Sequence, residues 1–321
     1  MDKQEIDKYG LCLPGGGDNG RFQVGVLKKL VDEDFFRNKP FLEVTDDFFG
    51  DDFIGFDEMT STSVGSINGA AIAQFDKKDF SKSIPFLWDT WLKHVTCNRD
   101  IFRWFFPKYL GGLFHNSFAT TWPLRSLLEK TVDIEKIRKS DVNWNIAVVN
   151  YNTGELEFFE KHSEFLIDAI MASAAYPAMM ELIKINGQYY IDAGIRDIAP
   201  VAGLIKRGCT KILVICTHNP YKVEYVTNEE IGNTVNVLKR TLDIAFNEIL
   251  RRDLVNHAKI NSLIRNKKLV DSNYQEVRIK IIHPTSSPGN PLEFDYEIGL
   301  SKMYQGYNSV AQFFTKMEGV E

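Results

Sequence analysis

The chain has only four cysteines, and none stands in a Cys-x-x-Cys pair or another metal spacing. A disulfide framework and a zinc-ribbon site are therefore excluded as organising devices. Three of the four lie in apolar or glycine-flanked stretches, where a small buried thiol is expected. Basic residues are not in excess: 38 Lys and Arg face 43 Asp and Glu, a formal net charge of −5. That balance argues against general nucleic-acid binding. No apolar run is long enough to span a bilayer, because Asp168, Pro177 and Glu181 break the most apolar window, 165–185. Met1-Asp2-Lys3-Gln4-Glu5 lacks the basic-then-apolar order of a secretory leader. The expected location is cytoplasmic, with room for peripheral contact at a membrane. No repeat of fixed period and no low-complexity linker divides the chain.

What is present is ordinary globular composition, 44% apolar and 25% charged over 321 residues. Such a chain buries roughly three quarters of its unfolded surface and needs no staple. Tyr9 to Leu13 reads as a strand, and from Phe22 the apolar spacing becomes helical. An acidic, aromatic insertion, about 37–52, precedes a second strand expected over Phe53 to Met59. An Ala-rich helix is expected over Ser66 to Phe75. Strand–turn–helix twice over implies a parallel sheet with covering helices. Asn152-Thr153-Gly154 marks a hairpin between 145–149 and 156–159. Lys211 to Cys216 is a continuous β-rich run, as in a strand covered on both faces. A long helix is expected over about 229–265, a last strand over 277–282 and a closing helix over 300–314. The reading is one α/β domain over 1–321, with a core of about 9–216. An α-rich insertion fills about 76–140, and a helix–strand–helix ends the chain over about 229–316.

Three constellations could carry chemistry. Gly15-Gly16-Gly17-Asp18-Asn19-Gly20 follows a strand and opens a helix. It satisfies Gly-x-Gly-x-x-Gly, so dinucleotide binding is one reading, with Glu43 only loosely placed for a ribose contact. No Lys-Ser or Lys-Thr follows, which excludes a P-loop. Ser61-Thr62-Ser63-Val64-Gly65 is a Gly-x-Ser-x-Gly elbow with serine in the first glycine's place. Asp192-Ala193-Gly194 ends a short strand, Tyr189-Tyr190-Ile191. His218, just past the 211–216 strand, leaves an ordinary Ser–acid–His triad open by chain order.

Taken in order, these motifs resemble the patatin-like phospholipase family. Ala172-Ser173-Ala174-Ala175-Tyr176-Pro177, Asn152-Thr153-Gly154-Glu155 and Pro123-Leu124-Arg125 add to the resemblance, which runs from about Tyr9 to Pro200. It implies a three-layer α/β fold with a mainly parallel central sheet, a nucleophile elbow and an α-rich insertion. It also implies a Ser–Asp dyad, with Ser63 as nucleophile and Asp192 as base. The backbone amides of Gly15, Gly16 and Gly17, with Val64 as a further candidate, would hold the oxyanion; Gly20, Arg21, Ser61, Gly65, Ala193 and Gly194 would support the motifs. The implied reaction is phospholipase A-type hydrolysis of lipid esters, with no metal and no organic cofactor. A phospholipid or other lipid ester is the expected partner, and nucleic acid is not.

Four positions depart from the family pattern: Asn19 where Lys or Arg is usual, Ser61 and Ala193 for glycines, and Ile198 where Asn often follows. Arg21 could supply the charge missing at Asn19, and Asp18 would oppose an oxyanion if its carboxylate pointed inward. A catalytically silent binding or regulatory module is the alternative reading, which these departures favour slightly and the retained Ser63 and Asp192 count against. A Cβ in the glycine loop is expected to cost turnover more than stability. Ile101 to Phe114, rich in aromatics, reads as core or as a lipid-facing wall.

Overall fold

The computed structural model describes residues 7–33, 48–50, 53–105, 115–222, 232, 234–266 and 276–314. In chain order, β1 (Tyr9–Leu13) leads through the glycine loop into α1 (Gly20–Asp32). β2 (Glu58–Ser61) leads through the elbow into α2 (Val64–Ile72) and then α3 (Phe80–His94). A two-strand ribbon, β3 (Arg103–Trp104) and β4 (Ala119–Thr120), precedes α4 (Trp122–Thr131) and α5 (Ile134–Lys139). β5 (Asn143–Asn150), β6 (Leu156–Glu160), α6 (Leu166–Ser173), β7 (Ile183–Ile185) and β8 (Gln188–Asp192) follow. The chain continues with α7 (Val201–Lys206), β9 (Lys211–Ile215), α8 (Thr234–Arg265), β10 (Arg278–Ile282), α9 (Tyr296–Ser309) and α10 (Ala311–Phe314).

The central sheet has eight strands in the order β10-β9-β1-β2-β5-β8-β7, with β6 paired to β5. From β10 to β5 every pairing is parallel, and β6, β7 and β8 join antiparallel. Side-chain alternation along the inner strands feeds two cores. Leu11, Leu13, Leu213 and Ile215 join the larger one, beneath α1 to α4, α6 and α9. Cys12, Ile212 and Val214 point the other way, against Val201 and Leu204 of α7 and Leu250 and Leu254 of α8. The fold is thus a mostly parallel sheet covered by helices on both faces. No helix among the described residues is long and apolar enough to cross a membrane.

Two elements differ from the sequence reading. β2 begins at Glu58 rather than near Phe53, because the apolar run before it serves packing and not pairing. Phe53 and Phe56 are buried among Tyr9 and Phe49, and Gly55 (φ 154°) passes so close to the Lys77 carbonyl that a Cβ would lie 2.1 Å from it. The closing helix starts early, at Tyr296, since Asp295 caps it by accepting the Glu297 and Ile298 N–H groups at 2.9 and 3.1 Å. Residues 37–47 and 51–52 of the expected insertion, 106–114 of the aromatic stretch, and 229–231 and 233 of the expected long helix lie outside the described residues. Of the aromatic stretch, Ile101 and Phe102 are buried, with Phe102 edge-on to Trp104 and Phe294.

β5 decides where the chemistry gathers. Its residue Ile146 lies opposite Ser61, the last residue of β2, and two residues on Val148 lies opposite Asp192, the last of β8. β2 and β8 therefore deliver their ends to one place from opposite directions. The residues just past them, Ser63 and the loop after Asp192, meet there.

Candidate active site

Ser63 occupies a sharp turn between β2 and α2, with φ 55° and ψ −128°, a backbone region that β-carbon-bearing residues rarely adopt. The turn is possible because Gly65 lets the start of α2 touch β1: a Cβ there would lie 1.9 Å from the Leu13 carbonyl. Its side chain faces a pocket of about 750 Å³, counted with the solvent at its mouth. Gly15, Gly16 and Gly17 edge the same pocket, as do Val64, Asp192 and Gly194.

The glycine loop is held from behind. Gly16 (φ 152°) lies against Thr217, and Gly17 (φ 56°) lies against the Pro291 carbonyl, which accepts the Asp18 N–H at 2.7 Å. Among the described residues the N–H groups of Gly16, Gly17 and Val64 have no acceptor in the protein. Gly15 departs from the expected role. Its N–H is turned to the Ile198 carbonyl at 3.4 Å, and its missing Cβ, which would stand 2.8 Å from the Ser63 Cβ, gives space rather than a donor.

Asp192 is fully buried, and its Oδ1 accepts the Gly194 N–H at 2.8 Å. Burial pushes its carboxyl up to about 7, opposed by that N–H and by the Ser63 hydroxyl. The Ser63 hydroxyl lies close enough to Asp192 to lower its carboxyl, although the two do not form a fully aligned hydrogen bond.

His218 edges the pocket too, and its hydrogen bonds fix its tautomer by counting protons. The Thr217 hydroxyl gives its one proton to the Gly15 carbonyl, so it must accept from His218 Nδ1, 2.9 Å away. Nε2 is left as an acceptor, and it faces the Asn19 amide at 3.4 Å. Burial, with Lys302 nearby, pulls His218 down to about 4, so the ring is neutral. Both nitrogens are engaged by the loop's supports rather than by Ser63. Glu43, the residue considered for a ribose contact, lies outside the described residues.

The patatin-like phospholipase family model matches residues 11–205. The chain belongs to the patatin-like phospholipase family. No curated protein matches the sequence. Among solved structures it is similar to VipD from Legionella pneumophila, at 13% identity and a TM-score of 0.42, over 97% of this chain and 67% of that one.

Two positions that look unfavourable against the patatin-like pattern, Asp18 and Ser61, have local explanations. Asp18 does not point at the loop: its carboxylate lies between Arg21 Nε (2.7 Å) and Lys302 Nζ (2.8 Å), all three side chains buried. Arg21 also donates to the Val95 carbonyl and lies over the Trp91 ring. The expectation that Arg21 replaces the charge missing at Asn19 is therefore corrected, because its guanidinium neutralises Asp18 and turns away from the pocket. Gly299 on α9 makes room for it; a Cβ there would lie 2.2 Å from the guanidinium carbon. Lys302, beyond the family-matched residues, was not foreseen. A lysine on a closing helix reads as a solvated charge until the fold buries it.

Ser61, the serine in the first glycine's place, is explained by its partners. Ser63 N–H donates to Ser173 Oγ at 2.9 Å, and Ser173 gives its own proton to the Ala147 carbonyl at 2.8 Å. Each hydroxyl has one proton, so the rest of the chain can run only one way. Ser66 donates to Ser173 (2.9 Å), Ser61 donates to Ser66 (3.0 Å), and Trp144 Nε1 donates to Ser61 (2.9 Å). Ser61 thus links β5 to the nucleophile's own amide through wholly buried groups. Ser61→Gly, which restores the usual spelling of the elbow, is expected to destabilise the protein by about 2–3 kcal/mol, since it strands a buried indole N–H. Urea unfolding of the two proteins checks this; an unchanged midpoint would show the relay to be idle.

Elements far along the chain complete the pocket. Asp243, Phe246 and Asn247 of α8 and the segment Pro291–Phe294 form part of its wall. Tyr176 joins α8 through its hydroxyl, 3.3 Å from Asp243, and an edge contact with Phe246. The helical spacing of Leu242, Phe246 and Leu250 marks a buried face in the sequence, but nothing there says which cavity it covers.

Proposed function

We propose that the chain hydrolyses carboxylic esters of lipids in phospholipase A fashion, with Ser63 as nucleophile and Asp192 as its base. The observation that carries this reading is a strained serine turn sharing one pocket with a buried carboxyl held near 7. A general base works best when its pKa lies near the working pH. With both His218 nitrogens engaged, the reading is a dyad and not a triad.

The ester carbonyl enters between Ser63 and the glycine loop. Ser63 Oγ attacks the carbonyl carbon while its proton passes to Asp192, directly or across one water. The oxyanion takes the spare N–H groups of Gly16, Gly17 and Val64, with the N-terminus of α2 adding positive potential. Collapse breaks the bond to the alcohol, which leaves with the proton from Asp192. Water then attacks the acyl-serine and gives a proton to Asp192; collapse breaks the carbonyl–Oγ bond, Asp192 passes that proton to Ser63 Oγ, and the fatty acid departs. Contact with a lipid surface belongs to the same proposal. Val237 and Ile244, one helical face of α8, are 46% and 51% exposed on the helix that closes the pocket.

The test is labelling by a fluorophosphonate probe together with ester hydrolysis across pH. Asp192 must be charged to accept a proton, so kcat/KM is expected to rise with pH through about 7. A limb near the ordinary carboxylate value would move the base to an exposed acid. Absence of both labelling and hydrolysis would leave a silent module.

A further inference from the structure

The glycine loop is tied to a residue outside the family-matched segment, Lys302 of α9. On α9, steps of three and four residues put Gly299, Lys302, Met303 and Gly306 on one buried face. That face meets α1 almost backbone to backbone. A Cβ at Gly306 would lie 2.1 Å from the Phe22 carbonyl oxygen, and one at Gly25 would lie 1.8 Å from that of Met303. So close a contact fixes the register of the two helices and brings Lys302, only 3% exposed, to the start of α1.

There its ammonium closes a ring. Nζ donates to Asp18 Oδ2 at 2.8 Å and to the Asn290 carbonyl at 3.1 Å. Asn290 precedes Pro291, whose carbonyl accepts the Asp18 N–H at 2.7 Å. The segment beyond is pinned in turn: Leu292 N–H donates to Asn290 Oδ1 at 3.0 Å, and Phe294 N–H to Asn98 Oδ1 at 2.7 Å. Pro291, Leu292 and Phe294 wall the catalytic pocket. Asp18, the residue after Gly17, is thus held to that wall twice, by its own N–H and through Lys302.

Stability does not account for the lysine. Arg21 already neutralises Asp18, so Lys302 brings a second cation to one carboxylate in a desolvated place. Burial pulls Lys302 down, with Asp18 opposing. A buried ion network of this kind is often no more stable than an apolar replacement. Its charge does reach the pocket, where it helps to keep His218 neutral.

We infer that Lys302 is the positioning residue of the oxyanion loop. Without touching the substrate, it holds the Gly16 and Gly17 N–H groups where the ester oxygen becomes negative. The inference rests on the hydrolase reading for what the loop does, but not for the tether itself. Donors displaced from that spot cost the transition state more than the bound ester.

The test is Lys302→Met, which keeps an aliphatic stem and leaves Asp18 paired with Arg21. On p-nitrophenyl butanoate, kcat is expected to fall about tenfold or more while KM stays within about twofold. The melting temperature should stay level or rise. Amide hydrogen exchange, read on peptides covering residues 14–20, should quicken in the loop and not in β5 or α6. Lys302→Gln, one atom shorter and able to donate to Asp18 alone, should lie between the two proteins, and it takes the place of the methionine variant if that one does not fold. A folded Lys302→Met protein with unchanged kcat would overturn the inference. So would a parallel loss of kcat and melting temperature with exchange raised throughout, which is the behaviour of a structural counter-ion. If the starting protein hydrolyses no ester, the hydrolase reading falls and exchange decides the tether: quickening confined to the loop upholds it, and unchanged exchange overturns it.

Discussion

Ser63→Ala and Asp192→Asn are each expected to lower ester hydrolysis by about a thousandfold or more, and only the second is expected to raise stability at high pH. The loss follows from the pairing, since a serine hydroxyl without its base, or a base without its nucleophile, leaves only binding and the oxyanion donors. The two act as one unit, so the double variant should be little worse than either single one. The stability difference follows from the raised carboxyl. Folding lifts Asp192 from 3.8 to about 7, so between those values the folded state binds the extra proton. Stability from this group is therefore fully present below about 4 and is lost as pH rises through about 7. Asp197 and Asp253, raised by burial to about 7 and about 6, act in the same sense. Asn carries no charge to desolvate. Asp192→Asn should accordingly melt higher than the starting protein at pH 8, by on the order of 3 °C, and by much less at pH 5. Ser63→Ala relieves no buried charge and should show no such pH-dependent gain. Thermal melts at the two pH values, read beside the rates, check both statements. An Asp192→Asn protein that is inactive and also less stable at pH 8 would mean that the carboxylate is held by partners rather than stranded by burial.

Gly17→Ala is expected to lower kcat by about a hundredfold or more and to lower the melting temperature with it. Losing one oxyanion donor typically costs about 10²–10³ in rate, and the loop cannot take a side chain without moving. At Gly17 the backbone has φ 56°, and a Cβ would lie 2.1 Å from the Pro291 carbonyl oxygen. That atom is backbone, and it already accepts the Asp18 N–H, so it has no side-chain freedom with which to yield. From the sequence alone a Cβ here would cost turnover more than stability; the Pro291 contact couples the two. Labelling by the fluorophosphonate should fall in step with kcat, because the probe's phosphoryl oxygen needs the same amides. A folded variant with unchanged kinetics would remove the loop from the chemistry and leave it a packing turn.

Much of the scaffold could be read from residue order. Period-two and period-3.6 patterns placed β1, α1, α2, β9 and the long α8, because each buries a face whose spacing the backbone geometry imposes. The glycine loop, the serine elbow and the aspartate turn were legible because each needs small residues where chain segments touch, and small residues show in a sequence. The run before β2 misled, since aromatic packing and strand pairing draw on the same apolar residue types.

The fold class and the candidate site residues Ser63, Asp192, Gly16 and Gly17 were legible in the sequence by itself through the ordered motifs that resemble the patatin-like family, since turns where chain segments touch need small residues. Only the tertiary structure decided which groups support them. The offset of β2 and β8 along β5 brings Ser63 to Asp192, and burial, not a neighbouring charge, sets that carboxyl near 7. Arg21 and Lys302, 281 positions apart in the numbering, converge on Asp18, and Thr217 fixes the tautomer of His218. The hydroxyl relay through Ser61 was likewise invisible. Each depends on distances between residues far apart in the chain, and one sequence records which side chains exist but not which of them share a desolvated space.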